Sequence, residues 1–108
     1  MTLLQKRDSA RRRRRLKALA DARRDLRSAL ADLIPGSRVF LFGSLTRPGV
    51  FNDRSDVDLA LENEPAQMSL YQLTARLAEQ MGRPVDVVLL SECRFRQKIL
   101  LEGEAWTV

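Results

Sequence analysis

Three short apolar runs organise this chain, and two of them carry acids where acids are costly. Val39-Phe40-Leu41-Phe42 ends abruptly at Gly43-Ser44, and Val57 to Leu61 follows with Asp56 and Asp58 placed two positions apart. Continuous β-prone runs of this length mark strands buried on both faces. Side chains alternate across a strand, so Asp56 and Asp58 share a face, about 6–7 Å apart, while Val57 and Leu59 turn into a core. A third run, Val85 to Leu90, is apolar except for Asp86. An unpaired, ionised carboxylate in such a setting is unfavourable, so each acid needs a cation or hydrogen-bond donors.

The remaining pattern supplies helices around these strands. Residues 2–33 hold no Gly or Pro, and Leu16, Leu19, Arg23, Leu26, Leu30 and Leu33 recur at helical spacing. Arg23 interrupts this stripe, its stem expected to cover apolar surface while its guanidinium reaches water. Pro35-Gly36 ends the helix. Strands are expected at Arg38 to Phe42, Ser55 to Leu61 and Val85 to Leu90. Residues 45–54 form a turn-rich connection, and Glu62 to Gln67 a loop. A helix is expected from Met68 to Met81, stopped by Gly82, and a last one capped by Ser91 and running to about Leu101. The tail from Glu104 to Val108 fits a short strand or none. The helix between the second and third strands suits a parallel crossover, which sets Asp86 beside Asp56 and Asp58. For Gly43-Ser44 to meet them, the first strand must run antiparallel to the second. The expected fold is an α/β domain: a small mixed β-sheet packed with helices, with a long N-terminal helix.

Composition removes several chemistries. The chain has 108 residues and no histidine, which excludes Ser-His-Asp and Cys-His catalysis within it and the common Cys/His zinc sites. Its single cysteine, Cys93, has no partner in the chain, which suits a reducing cytoplasm. No signal peptide is expected, because the basic start leads into arginines, and no run approaches a membrane span. Charge is uneven: residues 1–27 hold eleven Lys/Arg and three acids, residues 28–108 eight and eleven. Residues 1–15 are therefore expected to be a basic arm, helical or frayed, before a domain at 16–108. The run Arg11 to Arg15 is a solvated helix face or a surface for nucleic acid or a partner. Asp86 has an alternative use, pairing with Arg38 or Arg83. Tyr71 and Trp106 read as packing residues.

Without histidine, carboxylates and a hard metal such as magnesium must carry any chemistry. Three carboxylates can hold two divalent ions for in-line attack at phosphorus. A glycine lets backbone approach phosphate, and Ser44 and nearby amides can donate to its oxygens, with Arg47 as a further cation.

Gly43-Ser44, Ser55-Asp56-Val57-Asp58-Leu59 and a later strand aspartate at Asp86 resemble the polymerase beta-like nucleotidyltransferase superfamily. More narrowly, the chain is similar to the minimal nucleotidyltransferase (MNT) proteins. Arg47 sits where these often carry an arginine, and the ending Phe95 to Trp106 resembles their closing helix and turn. Pro48 departs from the pattern, standing where a glycine is common.

The resemblance, which covers roughly residues 16–108, implies a nucleotidyltransferase fold that moves AMP from ATP to an acceptor hydroxyl. Asp56 and Asp58 would bind two Mg2+ ions, Asp86 one of them, and Gly43 and Ser44 would hold the terminal phosphates. It also implies an antitoxin role beside a HEPN-domain RNase toxin, with AMP placed on a toxin tyrosine. A chain this short leaves few residues for an acceptor-binding domain. The rival readings are transfer to a small molecule or RNA end with a partner subunit, and a non-catalytic antitoxin that neutralises by contact.

Overall fold

The computed structural model describes residues 1–108. Helix α1 spans Leu3–Leu33, strand β1 Arg38–Phe42, β2 Val57–Leu61, helix α2 Leu70–Met81, β3 Val85–Leu89, helix α3 Arg96–Glu102 and β4 Glu104–Thr107. The four strands form one sheet in the order β3-β2-β1-β4. β1 is antiparallel to both β2 and β4, and β2 is parallel to β3. The mixed sheet and the two strand directions expected from the acids are both present. β4 decides the ambiguous tail: it pairs with β1 from Arg38↔Thr107 to Leu41↔Glu104.

Alternation divides the sheet into two chemistries. Val39, Leu41, Val57, Leu59, Leu61, Val87 and Trp106 face α1 and α2 and join the main core with Leu26, Leu30, Leu73 and Leu77. The opposite face carries Phe40 and Ala60, covered by Leu90 and by Ile99 of α3. Phe42 packs against the edge of this cover, and past it the sheet ends in the half-buried Asp58 and the exposed Asp86, so this end stays open.

Several boundaries differ from the sequence reading. β2 begins at Val57, so Asp56 lies in the connection just before it. α2 begins at Leu70, with Ser69 as its cap: its hydroxyl accepts from the Gln72 amide at 3.1 Å, and the Gln72 side chain accepts from the Ser69 amide at 3.1 Å. Ser91 caps no helix. Leu90 is drawn into the small core, which turns Leu90–Glu92 into a 3₁₀ turn and delays α3 to Arg96, leaving Cys93 in the connection. The stretch of α1 before Leu16 is continuous helix, closed at its start by a reciprocal Thr2–Gln5 capping box. α1 outreaches the sheet and gives the molecule its longest extent, 53 Å against 28 and 19 Å.

Arg23 also departs from expectation, because its guanidinium turns inward. It donates to the Leu45 carbonyl at 3.1 Å and to the Glu104 carboxylate, and lies over the Trp106 ring at 5.3 Å. Trp106 Nε1 donates to the same carboxylate at 3.0 Å. One side chain thus ties α1 to β4 and to the turn after β1.

Gly103 fixes the approach of α3 to the sheet. A Cβ there would lie 2.5 Å from the Ile99 carbonyl oxygen and 2.8 Å from that of Leu41, both backbone atoms that cannot rotate away. Gly103→Ala is therefore expected to destabilise by about 1–3 kcal/mol, the usual range for overpacking. Urea unfolding checks it: an unchanged midpoint contradicts this packing.

Candidate active site

The open end of the sheet gathers the acids through register. Asp58 and Asp86 are paired residues of the parallel β2–β3 ladder, each the second residue of its strand. Asp56 precedes β2 by one residue, two positions from Asp58. Asp58 is half-buried, whereas Asp56 and Asp86 are exposed. None of the three forms an ion pair. The cations that offered an alternative partner for Asp86 are engaged elsewhere. Arg38 pairs with Glu62 at 3.3 Å, and Arg83 donates to the carbonyls of Asn52 at 3.1 Å and Ser55 at 3.0 Å.

Burial pushes the Asp58 carboxyl above its ordinary value, and the charges of Asp86 and then Asp56 push it the same way. Asp56 and Asp86 are thus close enough to oppose ionisation of Asp58. No three acidic or thiol side chains converge closely enough to form a ready-made metal site. The donor set itself fits a divalent oxygen-seeking cation, since such an ion would relieve the repulsion that raises Asp58.

Gly43 brings the turn after β1 onto this cluster. Phe42 pairs with Asp58 across the antiparallel ladder, and the chain then enters a 3₁₀ turn, Gly43–Thr46. Gly43 has φ +68°, and a Cβ on it would lie 2.6 Å from Asp58 Oδ2. Both the backbone shape and the nearness of the carboxylate therefore require glycine. The Thr46 hydroxyl donates to the Gly43 carbonyl at 2.9 Å and closes the turn. The half-buried Ser44 has no such internal bond, which leaves its hydroxyl available to a ligand.

A cavity of about 660 Å³ opens beside this turn, in the range that holds a small-molecule ligand. Phe42, Gly43, Thr46 and Arg47 line one side, and Phe95, Lys98, Ile99 and Glu102 of the α3 region the other; Ser44 and the three acids do not line it. Arg47 thus lies where the sequence placed it, next to Gly43 and facing shared space. Sequence reasoning missed Lys98, although its one signal was present: it precedes Ile99, the buried anchor of α3. Arg83 was also missed as an anchor of the loop before Asp56. It lies over the Phe51 ring at 4.7 Å, and the loop is further closed by the Asn52 amide donating to Ser55 Oγ at 2.9 Å. Ser55 therefore shapes the loop with its hydroxyl instead of presenting it to a ligand.

Residues 35–105 match the family model "Polymerase beta, Nucleotidyltransferase". The chain belongs to this nucleotidyltransferase family. No curated protein sequence matches it. Among solved structures it is similar to a toxin–antitoxin crystallised with AMP-PNP, at 25% identity and TM-score 0.60, covering 79% of this chain and 73% of that one. It is also similar in fold to the toxin–antitoxin MntA-HepT, at 23% identity and TM-score 0.54 over 81% and 71% of the two chains. A third likeness is to the tri-AMPylated Shewanella oneidensis HEPN toxin in complex with MNT antitoxin, at 20% identity and TM-score 0.56 over 83% and 73%.

Two outcomes follow from this geometry. Gly43→Ala places an L-residue in a left-handed conformation, at about 1–2 kcal/mol, and drives its methyl into the Asp58 carboxylate. Thermal unfolding should shift down by several degrees; an unchanged midpoint contradicts the contact.

Asp58→Asn should behave oppositely. A carboxyl whose folded value is raised favours folding when protonated and opposes it when ionised, so its cost grows as pH rises through the folded value. Without divalent metal the variant should be at least as stable as the parent at neutral pH. Its advantage should vanish below the ordinary value of 3.8, where the aspartate is protonated in both states. Comparing unfolding midpoints across pH decides it: a variant that is less stable at neutral pH contradicts the repulsion.

Proposed function

We propose that this chain is an antitoxin that transfers AMP from ATP to a tyrosine hydroxyl of a cognate HEPN toxin. The observation that carries the reading is the Asp58–Asp86 register with Gly43 seated against Asp58, so that one glycine joins a set of unpaired acids to a cavity lined by Arg47, Lys98 and Glu102. Support for the partner comes from likeness to a toxin–antitoxin with AMP-PNP and, in fold, to an MNT antitoxin bound to a tri-AMPylated HEPN toxin.

In this reading Asp56 and Asp58 would hold two Mg2+ ions and Asp86 would help to hold one of them. Such ions would supply charge neutralisation at the phosphates and favour loss of the acceptor proton. Gly43 and the Ser44 hydroxyl receive the terminal phosphates, and Arg47 and Lys98 offset their charge. The acceptor oxygen forms a bond to the α-phosphorus, and the bond from that phosphorus to the pyrophosphate oxygen breaks. The acceptor proton passes to Asp86 or to water, since the chain holds no histidine to take it.

Neutralisation by contact alone has one observation in its favour. Phe95 and Leu101 are 65% and 85% exposed near the cavity, apolar surface that a partner could cover without any transfer. The two readings separate in one experiment. Incubating the cognate HEPN protein with this chain, ATP and magnesium should raise its intact mass by one adenylate or a small multiple. Peptide mapping should place the adenylate on tyrosine, and Asp86→Asn should abolish the gain. A partner that stays unmodified, yet is inhibited while bound, replaces transfer with contact.

A further inference from the structure

The face of α1 that points at the body of the domain changes chemistry along its length. Leu19, Ala22, Leu26, Ala29, Leu30 and Leu33 are buried in the core. The same row, spaced three and four residues, continues toward the N-terminus through Ala18, Arg15, Arg14 and Arg11. There the helix overhangs the connection at 49–54 instead of the sheet. Arg15 Nη1 donates to the Gly49 carbonyl at 3.3 Å, and Arg12 Nη1 lies 3.0 Å from where a Cβ on Gly49 would stand. Between helix and connection lies a cleft of about 670 Å³, lined by Arg11, Arg14 and Arg15 from α1 and by Asn52, Asp53 and Arg54 from the connection.

Four guanidinium groups face this one space, and Asp53 is the only acid lining it. None of the four forms an ion pair. Like charges around a shared cleft repel, and an anion between them removes that cost. Five consecutive helical arginines point all round the helix; three of them face this cleft, and Arg54 joins them there from a separate segment.

We propose that this cleft binds the phosphodiester backbone of single-stranded RNA. Guanidinium forks match phosphate oxygens in pairs, and arginines on two walls suit a strand lying between them. A duplex, with its phosphates on a convex surface, reaches one wall only. No aromatic side chain lines the cleft, so the bases have nothing to stack on and binding tolerates any sequence. RNA is the single strand that cells hold in quantity. The cleft shares no lining residue with the cavity beside Gly43, so RNA and ATP bind together. The proposal does not depend on which acceptor receives AMP.

Fluorescence anisotropy with a short, mixed-sequence, labelled RNA strand tests it, using the full chain across a salt series. Arg11→Ala/Arg14→Ala on one wall and Arg54→Ala on the other should each weaken binding at least about fivefold and flatten the log–log salt slope by about 0.7 per arginine removed. Arg13→Ala, on the same helix but lining neither wall, should cost clearly less, and circular dichroism should show α1 intact in every variant. Saturating ATP should leave the RNA bound, and DNA of the same sequence should compete no better than RNA. Absence of binding at low salt overturns the proposal, as does an equal loss from Arg13→Ala and Arg54→Ala, which marks diffuse charge. Tighter binding of a duplex or of single-stranded DNA also overturns it. So does displacement of RNA by polyglutamate at equal charge, which would assign the cleft to an acidic protein.

Discussion

Mutual repulsion among Asp56, Asp58 and Asp86 is the constraint around which the rest of the domain is arranged. Burial is the larger influence on Asp58, and the repulsion adds to it in favouring protonation and disfavouring the folded, ionised state. The sheet overrides it by backbone hydrogen bonding: a five-residue parallel ladder fixes Asp58 opposite Asp86, and the antiparallel ladder on the other side fixes Phe42 opposite Asp58. The main core on the far face supplies the burial that holds those ladders together. The near face is covered by Leu90 and Ile99, with Phe42 packed against them, and the acids stand past that cover, where the Gly43 turn meets Asp58.

The position of the acids was legible because alternation is a strong rule. Asp58 among Val57, Leu59, Ala60 and Leu61 has only one face to point to, and the crossover length made a parallel neighbour for Asp86 natural. The same reasoning gave the direction of β1 from the need to bring Gly43-Ser44 to that end. The family's spaced motif added the chemistry, and the family match over residues 35–105 agrees with it. What alternation could not give was anything decided by a distant partner. Glu104 to Thr107 has no apolar run, and it becomes a strand because β1 offers a free edge. Arg23 looked like a solvent-seeking interruption, and turns inward because Leu45 O, Glu104 and Trp106 converge on it. Ser91 looked like a cap, but burial of Leu90 sets the local turn first.

The arginine-rich arm illustrates the same limit from the charge side. Lacking an apolar stripe, it reads in sequence as a basic arm, helical or frayed. In the structure it is continuous helix, capped by Thr2 and Gln5, and it meets the connection that leads to Asp56. That connection is held from three directions: Arg15 at Gly49, Arg83 at Asn52 and Ser55, and the Asn52–Ser55 bond inside it. The first carboxylate of the site, although outside the regular strand, is therefore carried on a braced loop.

If Asp56, Asp58 and Asp86 share a divalent cation with a bound nucleotide, uptake of that cation depends on them. Manganese paramagnetic resonance, read as free Mn2+ in the presence of a non-hydrolysable ATP analogue, tests it most directly. The account predicts that the wild-type chain removes Mn2+ from solution when the analogue is present, and that Asp58→Asn and Asp86→Asn each abolish most of that uptake while remaining folded. Equal uptake by the parent and both variants would contradict it and place the cation away from the end of the sheet.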